Sequence, residues 1–443
     1  MRPTRALRLL ALLCVILAIT AGPAAAVDEP ADEAPATQLR VALDRVLAEH
    51  AFLIVEVMRT GLDGGAEYDA AADALNGNTD DLIGAITSVY GEAAGDAVDE
   101  QWRNHIAFIV DYGRALDASD SSAAELADGQ LQQYAADFSA LLAGAIELPE
   151  DVVLGLIAEH VDQLKQVASF DEADFGDAYP AIRGTYDHMF MIGDGLASGI
   201  ISQFPRKFTG SRFAFSPATD LRLRLDKLLG EHTQLAALAM RALLTDAPDL
   251  SAAAAALDEN SEELRAVIAS VYGDAAGTAF STHWRHHTTL YIDYVTATLD
   301  GEEAGRQAAL DALGDYRSDF TAFLADANPF LAADDFESLV SEHTSLLVEQ
   351  ADAYADGDFA AAYATQREAW AQVGDLSAGL ADAIAHQFPA KFPDAAMQQP
   401  SPVPWRPIAL VVGLTVLLLA VRLAMPLRAS AASRRGWGRP PRA

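Results

Sequence analysis

The stretch SVYGEAAGDAVDEQWRNHIAFIVDY, from Ser88 to Tyr112, returns later in the chain as SVYGDAAGTAFSTHWRHHTTLYIDY, from Ser270 to Tyr294. Thirteen of the 25 positions are identical and no gap is needed. The match extends in both directions. TQLRVALDRVLAEH, ending at His50, corresponds to TDLRLRLDKLLGEH, ending at His232, and QFPRKF (Gln203 to Phe208) corresponds to QFPAKF (Gln387 to Phe392). Self-similarity at this long period reads as an internal duplication. Two units follow, residues 37–208 and 219–392, each of a size expected to support its own core, with Thr209 to Ala218 between them.

Each unit carries the period of a helix. In the first, Leu39, Leu43, Val46, Leu47, Ile54 and Val57 recur at three- and four-residue steps, as do Trp102, Ile109 and Tyr112, and then Val153, Ile157, Leu164 and Val167. Alanine is abundant and no β-type alternation competes. Helices are predicted near 38–60, 79–90, 93–117, 122–145, 150–169 and 174–203. A capping box is read at Ser122 to Glu125, and Pro149 suits a first helical turn. The fold class is therefore all-α: two tandem antiparallel helical-bundle domains from an internal duplication, plus one C-terminal transmembrane helix.

Targeting segments flank this region. Residues 1–26 have a positive start (Arg2, Arg5, Arg8), an apolar run from Leu9 to Ile19, and a small-residue cleavage site at Ala24 to Ala26, which is a signal peptide. Residues 393–405 are rich in proline and glutamine and read as a stalk. Residues 407–427 are long and apolar enough for one membrane span, with Arg422 near one end where it can snorkel. The tail, 428–443, is basic and lacks acidic residues. Expected topology is a single-pass protein of the cell membrane, bulk outside and C-terminus cytoplasmic.

Charge and cysteine use narrow the function. All 64 acidic residues lie between Val27 and Trp405, a stretch with only 20 basic residues, for a net charge of −44. Such a field excludes nucleic acid as a partner. The one cysteine, Cys14, sits in the signal, so the mature chain has no thiol for a disulfide, a nucleophile or a metal. There is no glycine-rich phosphate loop, no G-x-S-x-G elbow and no H-E-x-x-H pair. An enzyme is not indicated.

Histidine placement is the informative chemistry. His50, His105, His160 and His188 are the only histidines of the first unit, and each falls in the apolar stripe of a different predicted helix. The second unit keeps three of them as His232, His287 and His343, with Gln372 in the fourth place. Stripes that face one interior can bring imidazoles together, which is how bundles build metal and haem sites. Copper, zinc or haem are the cofactors this pattern suits. The alternative is a structural or interaction scaffold in which each histidine is a hydrogen-bonded core residue. Met58 and Met240 correspond, as do Asp111 and Asp293. The pairs Glu49-His50 and Glu231-His232, Glu159-His160 and Glu342-His343 also recur. Neighbouring helical residues point about 100° apart, so these glutamates are not expected to share an ion with their histidines. His283 and His286 lack counterparts and are read as surface residues.

Through LRxxLDxLLxEH, SVYGxxAG, WRxH and QFPxKF, the whole extracellular part resembles a family of secreted bacterial helical repeats often labelled copper amine oxidase-like. Read literally, that label implies copper and a tyrosine-derived quinone acting on amines. The chain has neither an Asn-Tyr-Asp/Glu segment nor a His-x-His pair, so no catalytic residue is carried over.

Overall fold

The computed structural model describes residues 34–60, 65–146, 148–170 and 174–393. Among them the chain is all-helical, with 13 helices. The first half contributes α1 (Pro35–Arg59), α2 (Ala66–Tyr90), α3 (Glu92–Asp117), α4 (Ser121–Ile146), α5 (Glu150–Ala168) and α6 (Phe175–Gln203). A short α7 (Ser211–Ala214) bridges to α8 (Pro217–Leu244), α9 (Leu250–Tyr272), α10 (Asp274–Asp300), α11 (Glu303–Ala327), α12 (Ala333–Ala355) and α13 (Phe359–Gln387). No helix among the described residues is long and apolar enough to cross a membrane. The expected signal segment (1–26), membrane span (407–427), basic tail (428–443) and all of the stalk but Pro393 lie outside the described residues.

The shared sequence motifs place corresponding joints. Gly91 and Gly273 end α2 and α9 with φ of +89° and +91°, a conformation that favours glycine, and the next helix starts at once. Four residues on, the helix backbones come so close that a Cβ on Gly277 would sit 2.9 Å from the carbonyl oxygen of Arg265. The QFPxKF ends act as ties. Gln203 donates to the Ala145 carbonyl at 2.9 Å and accepts from Tyr90 at 2.7 Å, and Lys207 donates to the Ser88 carbonyl at 2.6 Å. Gln387 and Lys391 make the same contacts to Ala327, Tyr272 and Ser270. Tyr90 and Tyr272 also pack edge-on against Phe204 and Phe388, at 5.3 and 5.0 Å between ring centres.

Two local expectations are corrected. The second helix starts at Ala66, 13 residues before the predicted position 79. The intervening Asn76-Gly77-Asn78 is poor helix-forming sequence, but Asn78 is fully buried and donates to the Val46 carbonyl (2.9 Å) and to Glu49 (2.8 Å), so tertiary contacts carry the helix through. The start of α4 is capped by Asp120 rather than by a Ser122 box: its Oδ1 accepts from the backbone N–H groups of Ser122 and Ala123 at 3.1 and 3.0 Å.

The halves also share a core where separate ones were expected. One hydrophobic cluster combines Phe52, Tyr186 and Ile192 with Leu235, Leu257 and Trp370. Several ion pairs cross this seam, two of them at matching positions. Arg183 of α6 reaches Glu231 of α8 at 2.9 and 3.1 Å, and Arg367 of α13 reaches Glu49 of α1 at 3.1 and 3.3 Å. Both glutamates are buried, and each also accepts from an asparagine at 2.8 Å, Asn260 and Asn78 respectively. Truncating one partner of a buried pair strands the other's charge. Arg367→Leu is therefore expected to destabilise the protein by about 3 kcal/mol, and adding Glu49→Gln should recover much of that. Urea denaturation of the single and double variants measures it, and a single variant unfolding at the wild-type midpoint would contradict the assignment.

Candidate metal centre

Three helices of the first half bring one histidine each to a common interior point. α1 supplies His50, α3 His105 and α5 His160, all essentially removed from solvent. Each sits in an apolar stripe that the bundle turns inward, with Leu47 and Ile54 around His50, Trp102 and Ile109 around His105, and Ile157 and Leu164 around His160. The Nε2 atoms of His50 and His105 are 3.3 Å apart. Ring centres lie 5.3, 5.9 and 6.1 Å apart around the trio.

The second half repeats the arrangement. His232 of α8, His287 of α10 and His343 of α12 are buried, and the Nε2 atoms of His232 and His287 stand 3.2 Å apart. Their ring centres are 5.2, 6.0 and 6.4 Å apart. In each trio one ring nitrogen per histidine lies within 4.8 Å of the others. A cavity of about 30 Å³ opens among the second-half rings, walled by Trp284, Phe280, Tyr316 and aliphatic side chains. That is room for an ion with one water, since a single water needs about 10–15 Å³ measured this way.

Aromatic rings hold the imidazoles in place. Trp102 lies 4.7 Å from both His50 and His105, and Tyr134 stacks on His105 at 4.8 Å with planes 16° apart. Trp284 and Tyr316 do the same for His232 and His287. The recurring tryptophans read in the sequence simply as core, and the two tyrosines carried no signal beyond their spacing of 182 residues.

Burial sets the protonation state. Removal from water lowers all six histidines below their ordinary value: to about 3 for His105 and His287 and about 4 for His343, with His50, His160 and His232 also pushed well down. The carbonyls of Trp102 and Trp284 act weakly the other way on His105 and His287. For His50, His160, His232 and His287, proximity to neighbouring histidines adds to desolvation. All six rings are therefore neutral at physiological pH, each able to offer one lone pair to an ion. Several nitrogens have no hydrogen-bond partner, among them both of His160, both of His343, and Nδ1 of His50 and His232. Buried polar atoms are rarely left this way, each costing about 1–3 kcal/mol. These orphans match between His50 and His232 and between His160 and His343, whereas Nδ1 of His287 meets the Tyr316 hydroxyl at 3.5 Å.

His188 does not belong to this centre, in contrast to the sequence reading. Its Nε2 pairs with the Leu156 carbonyl at 2.8 Å, between α6 and α5. Gln372 makes the same bond to the Leu339 carbonyl, also at 2.8 Å. A glutamine in the fourth place therefore leaves the second trio complete. His188→Gln is expected to be tolerated within about 0.5 kcal/mol, whereas His188→Leu orphans a carbonyl and should cost about 1–3 kcal/mol. Thermal denaturation separates the two, and equal losses would contradict the equivalence.

The other recurring residues point elsewhere. Asp111 and Asp293 are exposed, and Met240 packs with Tyr291 and Tyr294 in a separate cluster. Glu49 and Glu231 turn away to their arginine and asparagine partners, as the helical offset from His50 and His232 implies. His283 is half-buried against Phe323 at 4.4 Å, and His286 is exposed. Comparison with protein-family models, with curated proteins and with solved structures finds no match for this chain.

Proposed function

We propose that this protein is a metal-binding helical module, made of two duplicated units, that holds one transition-metal ion in each half through His50, His105 and His160 and through His232, His287 and His343. The observation that carries the reading is the pair of convergent, buried, hydrogen-bond-poor imidazole trios. With metal–nitrogen bonds of about 2.0–2.1 Å, tetrahedral to trigonal coordination sets ligand nitrogens about 3.3–3.6 Å apart. Two of the three nitrogens in each half already stand at 3.2–3.3 Å. A shift of about 1 Å in the third ring closes the set.

Copper and zinc suit neutral imidazole donors. A haem does not suit a cavity of about 30 Å³. Sealed from bulk water, the trios fit holding an ion for storage, sensing or electron transfer better than turning over a substrate. The acidic surface raises the local concentration of cations around the module. The signal segment, the membrane span at 407–427 and the basic tail expected from the sequence support a role at the outer face of the cell membrane.

Elemental analysis of the full chain purified in detergent, after loading with copper or zinc and desalting, tests this directly. Two ions per chain are expected, and bound copper should quench Trp102 and Trp284 fluorescence because each indole lies 4.7 Å from an imidazole. No retained metal and unchanged fluorescence would leave the scaffold reading instead.

A further inference from the structure

We infer that the ion these sites are built to hold is a monovalent d10 cation, copper(I), rather than a divalent one, because three neutral imidazoles converge in a buried cavity that no anionic group enters. The inference rests on the three-histidine reading above and adds the charge of the ion to it.

The charge inventory of the second half is complete at the cavity wall. Beyond the three histidines, the lining is aliphatic or aromatic apart from the hydroxyls of Tyr316 and Thr344 and the indole N–H of Trp284, which has no hydrogen-bond partner. Thr344 is committed, its Oγ1 donating to the Val340 and Ser341 carbonyls at 3.1 and 3.0 Å. Tyr316 stacks on His287 with its hydroxyl 3.5 Å from Nδ1. An ordinary phenol is neutral at pH 7. The carboxylates adjacent in sequence are held elsewhere. Glu231 is taken by Asn260 and Arg183, and Glu342 is exposed. In the first half Glu49 is taken by Asn78 and Arg367, and Glu159 accepts from Gln163.

The cost of moving an ion out of water scales with the square of its charge, so a dication costs about four times as much as a monocation in the same cavity. Zinc(II) sites meet that cost with thiolates, carboxylates or a bound hydroxide. The first two are missing from these walls, and a hydroxide would find only the hydroxyls of Tyr316 and Thr344 and the indole N–H of Trp284 around it, with no charged group to hold it. Copper(I) needs neither a fourth ligand nor a counter-charge. It accepts three neutral nitrogens in a plane, and the observed nitrogen spacings are close to what that plane requires.

The test is an anaerobic titration of the full chain in detergent with copper(I), against a chromogenic copper(I) chelator, alongside parallel titrations with zinc(II) and copper(II). The expected result is two copper(I) ions per chain, bound at least about a hundredfold more tightly than either dication. Silver(I), which has the same charge and no accessible redox change, should compete for the same two sites. The variant His160→Leu with His343→Leu, checked for native helix content by circular dichroism, should lose both. Zinc(II) bound two per chain as tightly as copper(I) would overturn this inference while leaving the metal centre standing. Failure of all these ions to bind would overturn both. Copper(I) retained in full by the double variant would place it outside the trios and likewise overturn the inference.

Discussion

Replacing His160 by leucine is expected to remove one metal ion per chain and, in the same molecule without metal, to raise stability. The two effects have one cause. Both ring nitrogens of His160 are buried without a partner, so the metal-free protein carries an uncompensated polar group in its core. Leucine is close in size and leaves nothing unsatisfied, for an expected gain of about 1–2 kcal/mol. The ion loses a ligand from a set of three, and its affinity at that half should fall on the order of a hundredfold or more. His343→Leu should behave the same way in the other half, where both ring nitrogens of His343 are likewise without a partner. Equilibrium unfolding in a chelator and metal content after loading give the two numbers. A core histidine that serves packing and hydrogen bonding would give the opposite result, destabilisation with no change in metal content. Trading stability for a binding group is expected at functional positions.

Acidification provides the second large effect. A histidine titrating near 6.5 when unfolded and near 3 when folded binds its proton in the unfolded state first. Between those values the unfolded state holds more protons, so stability rises with pH and is lost as pH falls from 6.5 towards 3. By linkage each such ring contributes about 2 kcal/mol of destabilisation at pH 5 relative to neutral pH. Carboxyls raised by burial, Asp44 and Glu56, act in the reverse sense, because the folded state protonates first and gains from acid. Comparing wild type with His105→Leu cancels that contribution and isolates one such ring. Wild type should lose about 2 kcal/mol more than the variant between pH 7 and pH 5 in urea unfolding. Parallel pH profiles would show that the ring is not held neutral.

Most of the architecture was legible because it depends on periodicity and repetition. Apolar steps of three and four marked the helices, and the recurrence of SVYGxxAG and QFPxKF marked joints that the glycine φ values and glutamine ties then explain. The start of α2 was not legible, since Asn76-Gly77-Asn78 argues locally for a turn and is overruled by a partner 29 residues away, Glu49. The shared core was not legible either. The exchange of Arg183 and Arg367 between halves joins residues 48 and 318 positions apart, and sequence gives no sign of which surface arginine meets which glutamate.

For the centre, helical phase correctly turned His50, His105 and His160 inward, together with their three counterparts. Phase alone does not give height along a bundle, and that is where His188 separates from the rest: it faces inward but meets the Leu156 carbonyl instead of the trio. The substitution of Gln372 was the available clue. An amide can replace an imidazole as a hydrogen-bonding group far more readily than as a transition-metal ligand.

The account stands or falls on where the metal goes. Anomalous diffraction from crystals of the copper-loaded chain locates it without reference to affinity or activity. Two peaks are expected, each about 2 Å from one nitrogen of all three histidines in its half, with His160 and His343 drawn inward. Peaks confined to carboxylates on the acidic surface, over trios unchanged from the metal-free geometry, would contradict it.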